Sequence, residues 1–121
     1  MTKANSLRPF ERIRKNSEFR QILEKGERVE TDNLRFYFTE NNLGFSRIGL
    51  SLGKKTGNAV KRNRIKRLIR EIFRTNKKRF KKGYDIIVIG REAIPEISLQ
   101  KIEIVFNKAL SKSKTVLVDN F

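Results

Sequence analysis

The stretch GNAVKRNRIKRLIREIFR, residues 57–74, limits the possible folds more than any other part of the chain. Ile65, Leu68, Ile69, Ile72 and Phe73 recur at i, i+3, i+4, i+7 and i+8. At ~100° per residue they fill one arc of an α-helix, and that arc must lie against another layer. Asn63, Lys66, Arg67, Arg70 and Arg74 fall on the opposite arc. Asn58, after Gly57, is the expected N-cap. Lys61, Arg62 and Arg64 then occupy the first turns, where the helix dipole is already positive and cations are unfavourable. Only Glu71 relieves this face, within one turn of both Arg67 and Arg74. A bound anion reverses the penalty. Free N–H groups at the helix start, the dipole and the planar forks of several arginines all suit phosphate oxygens.

The layer that receives the apolar arc is expected to be a sheet. In LRFYFTE, Leu34, Phe36 and Phe38 alternate with Arg35, Tyr37 and Thr39. Asn41 to Gly44 reads as a turn. RIGLSL alternates again, with Ile48, Leu50 and Leu52 on one face. YDIIVIG, residues 84–90, is apolar on both faces, as a well-covered strand must be. A short helix is expected over 17–24, capped by Ser17 or Asn16 and stopped by Gly26. A second long helix follows Pro95 and Ser98, with Ile102, Val105, Phe106, Ala109 and Leu110 as its apolar set. The order α-β-β-β-α-β-α predicts an α/β two-layer sandwich, with one sheet and the helices on one face. If Leu34, Phe36 and Phe38 meet the helices, the other face carries Arg35, Tyr37, Arg47, Gly49 and Ser51, and is open to a ligand.

The charge is a patch rather than a general property. The chain has 29 Lys and Arg against 13 Asp and Glu, a net +16, and residues 54–82 hold 14 of the basic residues with Glu71 as their one acid. That distribution is the electrostatic footprint of a polyanionic partner. A membrane surface fits less well, because the apolar arc is needed for the core and the chain has no Trp. Independent catalysis has little to work with: there is no His and no Cys, and Asp occurs only at 32, 85 and 119. The absence of Cys and of a long apolar segment suits a cytoplasmic protein with no membrane partner. The 121 residues suit a single domain, with residues 1–7 and 115–121 expected to be looser than the rest.

RIGLSLGKKTGNAVKRNRIKRLIREIFR, residues 47–74, closely resembles the bacterial ribonuclease P protein component. The core of the signature is Arg62-Asn63-Arg64, followed by Lys66-Arg67 and Arg70 and preceded by Lys54-Lys55 and Gly57-Asn58-Ala59-Val60. RIRKNSEFRQILEKG resembles the family's N-terminal basic segment and first helix. The resemblance implies a mixed sheet of about four strands, with a left-handed β-α-β crossover around the basic helix. It implies a subunit that binds a catalytic RNA, at 1:1, and the 5′ leader of precursor tRNA. The holoenzyme removes that leader with Mg²⁺; the RNA holds the metal and performs the hydrolysis, and the protein alone is inactive. Carried over, Lys54, Lys55, Lys61, Arg62, Asn63, Arg64, Lys66, Arg67, Arg70 and Arg74 fall to the catalytic-RNA surface. Phe19, Arg35, Tyr37 and Arg47 fall to the leader cleft, between the first helix and the sheet. Leu23 stands where relatives often carry a second aromatic, and Gly53 where some carry Ser. A ribosomal or RNA-chaperone protein of similar architecture is the alternative, ahead of a stand-alone nuclease.

Overall fold

A computed structural model describes residues 7–119. Three helices, α1 (Asn16–Lys25), α2 (Ala59–Asn76) and α3 (Leu99–Lys112), accompany four strands, β1 (Glu27–Glu30), β2 (Leu34–Glu40), β3 (Arg47–Ser51) and β4 (Tyr84–Gly90). The strands form one mixed sheet in the order β1-β2-β4-β3. β1 pairs with β2 and β2 with β4 antiparallel, whereas β3 and β4 run parallel with α2 as their crossover. The element order and the four-stranded sheet are those expected.

The two long helices are capped locally, and the Asn58 cap falls as read. The Asn58 side chain accepts a hydrogen bond from Lys61 N at 2.9 Å, and Ser98 Oγ accepts one from Lys101 N at 3.1 Å. α1 differs, since Lys15 takes its N-cap position and no side chain caps it. Its place is set by packing instead.

The main core lies between one face of the sheet and two helices. Leu34, Phe36, Phe38, Ile86 and Val88 meet Ile65, Ile69, Ile72 and Phe73 of α2, and Ile102, Phe106 and Ala109 of α3. Leu68 is partly buried at its rim. The expectation of helices on one face holds for α2 and α3 but not for α1. β4 is apolar on both sides, so Ile87 and Ile89 need cover of their own. α1 supplies it on the opposite face, where Ile22, Phe19 and Leu23 pack with Ile13, Tyr37 and Ile87 in a second, smaller core.

Both ends of the described chain are fastened. Arg12 forms a parallel bridge to Ile48, and Ile13 N donates to Ile48 O at 2.9 Å, so the N-terminal segment lies along the edge of β3. The tail, expected to be loose, is held through residue 119. Val116 is buried, Leu117 N donates to the Tyr84 hydroxyl at 3.0 Å, and Val118 bridges Phe80. The looseness expected at residues 1–6 and 120–121 lies outside the described residues.

Candidate nucleic-acid interface

The chain enters α2 through Gly57, whose φ of 152° is accessible to glycine and strained for other residues. Arg62 folds back over this entry. Its Nε donates to Gly57 O at 3.1 Å and its Nη1 to Leu52 O at 3.4 Å, which ties the helix start to the preceding loop. Lys54, Lys55, Lys61, Asn63, Arg64 and Arg67 are exposed, and Lys66 is half-buried. Among the described residues none of these cations is in an ion pair. Glu71 turns to Arg74 rather than to Arg67, and its hydrogen bonds hold the Arg74 guanidinium above its ordinary pKa.

Arg70 leads from this outer face to a second feature. It is half-buried with no carboxylate partner, and its pKa is pulled down, first by burial and then by the Arg12 and Arg14 guanidiniums. These side chains border an open groove of about 520 Å³. Its walls are α1 (Phe19, Arg20, Leu23), the Arg12–Arg14 segment, β3 from Ile48 to Ser51, and Arg70. A shallower groove of about 250 Å³ along α2 is lined by Leu7, Arg12, Arg67, Arg70, Glu71 and Arg74. Arg12 and Arg70 belong to both, so the cationic surface runs unbroken from the helix face into the groove. Arg12 Nε is buried without a hydrogen-bond partner, a donor directed at no acceptor in the protein.

Phe19 is the groove's aromatic. A Cβ added at Gly49 would lie 2.8 Å from Phe19 Cε2 and 3.2 Å from Ile13 Cβ, so the absence of a side chain on β3 lets the ring settle there. The other three residues expected in the cleft lie elsewhere. Tyr37 is 9% exposed and belongs to the small core beneath α1. Arg35 is half-buried, with Glu30 at 3.7 Å and its Nε unpartnered. Arg47 is bound bidentately to Asp85, Nε to Oδ1 at 2.9 Å and Nη2 to Oδ2 at 2.7 Å, and its Nη1 donates to Glu18 of α1 at 3.1 Å. Asn41 Nδ2 adds a bond to Asp85 Oδ1 at 2.8 Å. The hydrogen bonds to Asp85, opposed by burial, raise the Arg47 pKa, so this guanidinium is a permanent tie between α1 and the sheet.

A model of the family described as ribonuclease P matches residues 7–114. The chain belongs to the ribonuclease P protein family. It is 51% identical over 86 residues to the ribonuclease P protein component of Syntrophus aciditrophicus, covering 71% of this chain and 72% of that one. It is 34% identical over 110 residues to that of Alkaliphilus oremlandii, covering 91% and 96%. The RNase P protein structure from Staphylococcus aureus superposes with a TM-score of 0.77 at 37% identity, covering 87% of this chain and 96% of that one. The structure from Thermotoga maritima gives 0.73 at 30% identity, covering 86% and 98%. The chain is thus a protein subunit of ribonuclease P, the endoribonuclease that processes the 5′ end of tRNA, and associates with its RNA.

Reading the sequence alone missed Arg12, Arg14 and Arg20 as groove residues. They were visible as a basic segment. Their convergence with Arg70 depends on the bridge between Arg12 and Ile48, a long-range pairing. Among the described residues no three His, Cys, Asp or Glu side chains come together. No helix there is long and apolar enough to cross a membrane.

Proposed function

We propose that the outer face of α2 docks the catalytic RNA and that the groove between α1 and β3 receives the 5′ leader of precursor tRNA. The observation that carries this reading is the convergence of Arg12, Arg14 and Arg70 around the groove with no carboxylate to neutralise them. Guanidiniums left unpaired beside an aromatic suit a single strand. Its phosphates meet the arginines while one base stacks on Phe19, a contact that tolerates leaders of any sequence.

On α2, Asn63, Arg64, Lys66 and Arg67 provide the outward contacts, with Lys54, Lys55 and Lys61 at the helix start. Arg62 and Arg74 contribute the donors left over from their bonds to the loop carbonyls and to Glu71. Tyr37 and Arg47 act from beneath: Tyr37 supports the floor under α1 and Arg47 fixes the tilt of α1. Arg35 lies on the same sheet face, on β2, which β4 separates from the β3 wall of the groove. The protein then need not supply a general base. Hydrolysis is carried by the RNA with Mg²⁺, and the protein acts at 1:1 in the cytoplasm by holding the substrate.

The test is cleavage of precursor tRNA at low Mg²⁺. Catalytic RNA with protein should cleave, RNA alone should be slow, and RNA-free protein should be inactive. The stimulation should grow with leader length until the groove is filled. Cleavage by RNA-free protein, or stimulation indifferent to the leader, refutes the proposal.

A further inference from the structure

The segment that leads into the groove carries an aromatic that the leader and the α2 contacts leave unused. Phe10 sits in the middle of the short 3₁₀ helix Pro9–Glu11 and is 57% exposed. Its ring meets Phe45 of the β2–β3 loop edge-on, with centroids 5.0 Å apart and planes at 80°. An edge-to-face contact covers at most one face of either ring, so a face of Phe10 remains open.

The mount of this ring is rigid. Pro9 begins the turn with its φ fixed. Glu11 is buried; its Oε1 accepts Arg8 N at 2.8 Å and its Oε2 accepts Lys77 Nζ at 2.8 Å. Lys77 directly follows α2, so Phe10 is anchored to the C-terminal end of the basic helix. On either side of it in sequence, Leu7 and Arg12 line the shallow groove with Arg67, Arg70 and Arg74. The open ring is therefore carried by the same segment whose Leu7 and Arg12 border the groove along α2. A flat apolar group held beside phosphate-binding side chains matches the two halves of a nucleotide. A protein partner would call for a broader apolar patch than one ring pair amid arginines.

We infer that Phe10 is a stacking platform for an unpaired base of the catalytic RNA whose phosphates lie on α2. This rests on α2 being the catalytic-RNA face.

The chain has no Trp, so Phe10→Trp places a single indole on the platform. Its emission should be quenched when catalytic RNA is added without precursor tRNA. Phe10→Ala and Phe10→Leu should weaken catalytic-RNA binding about 5- to 150-fold, the span of one lost stack, while the log–log salt slope stays the same. Phe10→Leu keeps an apolar contact for Phe45 and should melt close to the parent. Phe10→Tyr should retain affinity. Parental affinity in both Phe10→Ala and Phe10→Leu, alongside weakened binding by Arg67→Ala, overturns the platform and leaves the α2 reading intact. Parental affinity in Arg67→Ala as well overturns both. Quenching only after precursor tRNA is added overturns the catalytic RNA as the source of the base. A salt slope that falls with affinity in Phe10→Leu shows a damaged cationic face and overturns the platform too.

Discussion

Gly49→Ala tests the groove at the point where its geometry is tightest. The new Cβ would lie 2.8 Å from Phe19 Cε2 and 3.2 Å from Ile13 Cβ, where ordinary contacts begin at 3.4 Å. The Phe19 ring must therefore withdraw by roughly half an ångström or more, and Ile13, pinned through its N–H to Ile48, has little freedom to share the displacement. Overpacking of this kind costs about 1–3 kcal/mol of stability, which leaves a domain of this size folded with a melting point lower by several degrees. The functional effect should be selective. If one leader base stacks on Phe19, displacement of the ring should cost up to about 1–3 kcal/mol of affinity for precursor tRNA with a long leader. Mature tRNA should be unaffected, as should catalytic-RNA affinity, because the substitution touches no α2 contact. Equilibrium binding of both tRNAs to the holoenzyme, with thermal melting of the free protein, provides all the readouts. Equal loss for mature and precursor tRNA would refute the reasoning. So would an unchanged leader preference in a variant that has lost the expected stability.

Arg67→Ala removes an exposed, unpaired cation; melting should be unchanged while catalytic-RNA affinity falls and the log–log salt slope shrinks by about 0.7–0.9, the value for one phosphate contact. Arg47→Ala leaves the Asp85 carboxylate buried without its guanidinium and should destabilise by about 3–5 kcal/mol in denaturant titration; a loss below about 1 kcal/mol would mean that the pair does not fasten α1. Glu27 gives a pH signature. Partial burial raises its pKa, but hydrogen bonds from Lys114 N, the Ser113 hydroxyl and Thr115 N outweigh that and hold it below the ordinary 4.5. Its contribution is thus full above pH 4.5 and lost as the pH falls through the lower folded value, so the stability gap between the parent and Glu27→Gln should close in that acidic window. The gap at neutral pH should be about 1 kcal/mol or less, since the carboxylate is only partly buried and solvent screens its interactions.

The long helices were legible because their signals are local. The apolar arc of α2, its Asn58 cap and the Ser98 cap of α3 need nothing beyond a few neighbouring residues. The double apolar face of β4 was legible as well, but not its consequence, that α1 must cover the second face. Tyr37 and Arg47 were read as facing an open surface because they share a sheet face with Arg35, Gly49 and Ser51. Over Tyr37 and Arg47 that face is closed by groups distant in sequence: Arg47 meets Asp85 at a separation of 38 residues and Glu18 at 29. Alternation reports which residues share a face and is silent on what lies over it. The groove arginines were hidden for the same reason, since the N-terminal segment has no periodicity that places it beside β3.

The position of β4 has a consequence for the order in which this protein can be made. β1 and β2 pair with each other as soon as both exist, but β3 has no neighbouring strand until residues 84–90 arrive between it and β2. The apolar arc of α2 waits with it, because Ile86 and Val88 belong to the surface it packs on. On a ribosome, the cationic segment 54–82 therefore emerges before the strand it packs on. Closing the sheet means bringing β4 back to segments made much earlier, a non-local step that delays the search for the native topology. A fragment ending before Tyr84 is expected to be a polycation whose sheet is confined to β1 and β2, and residues 84–90 are the point at which the four strands can join.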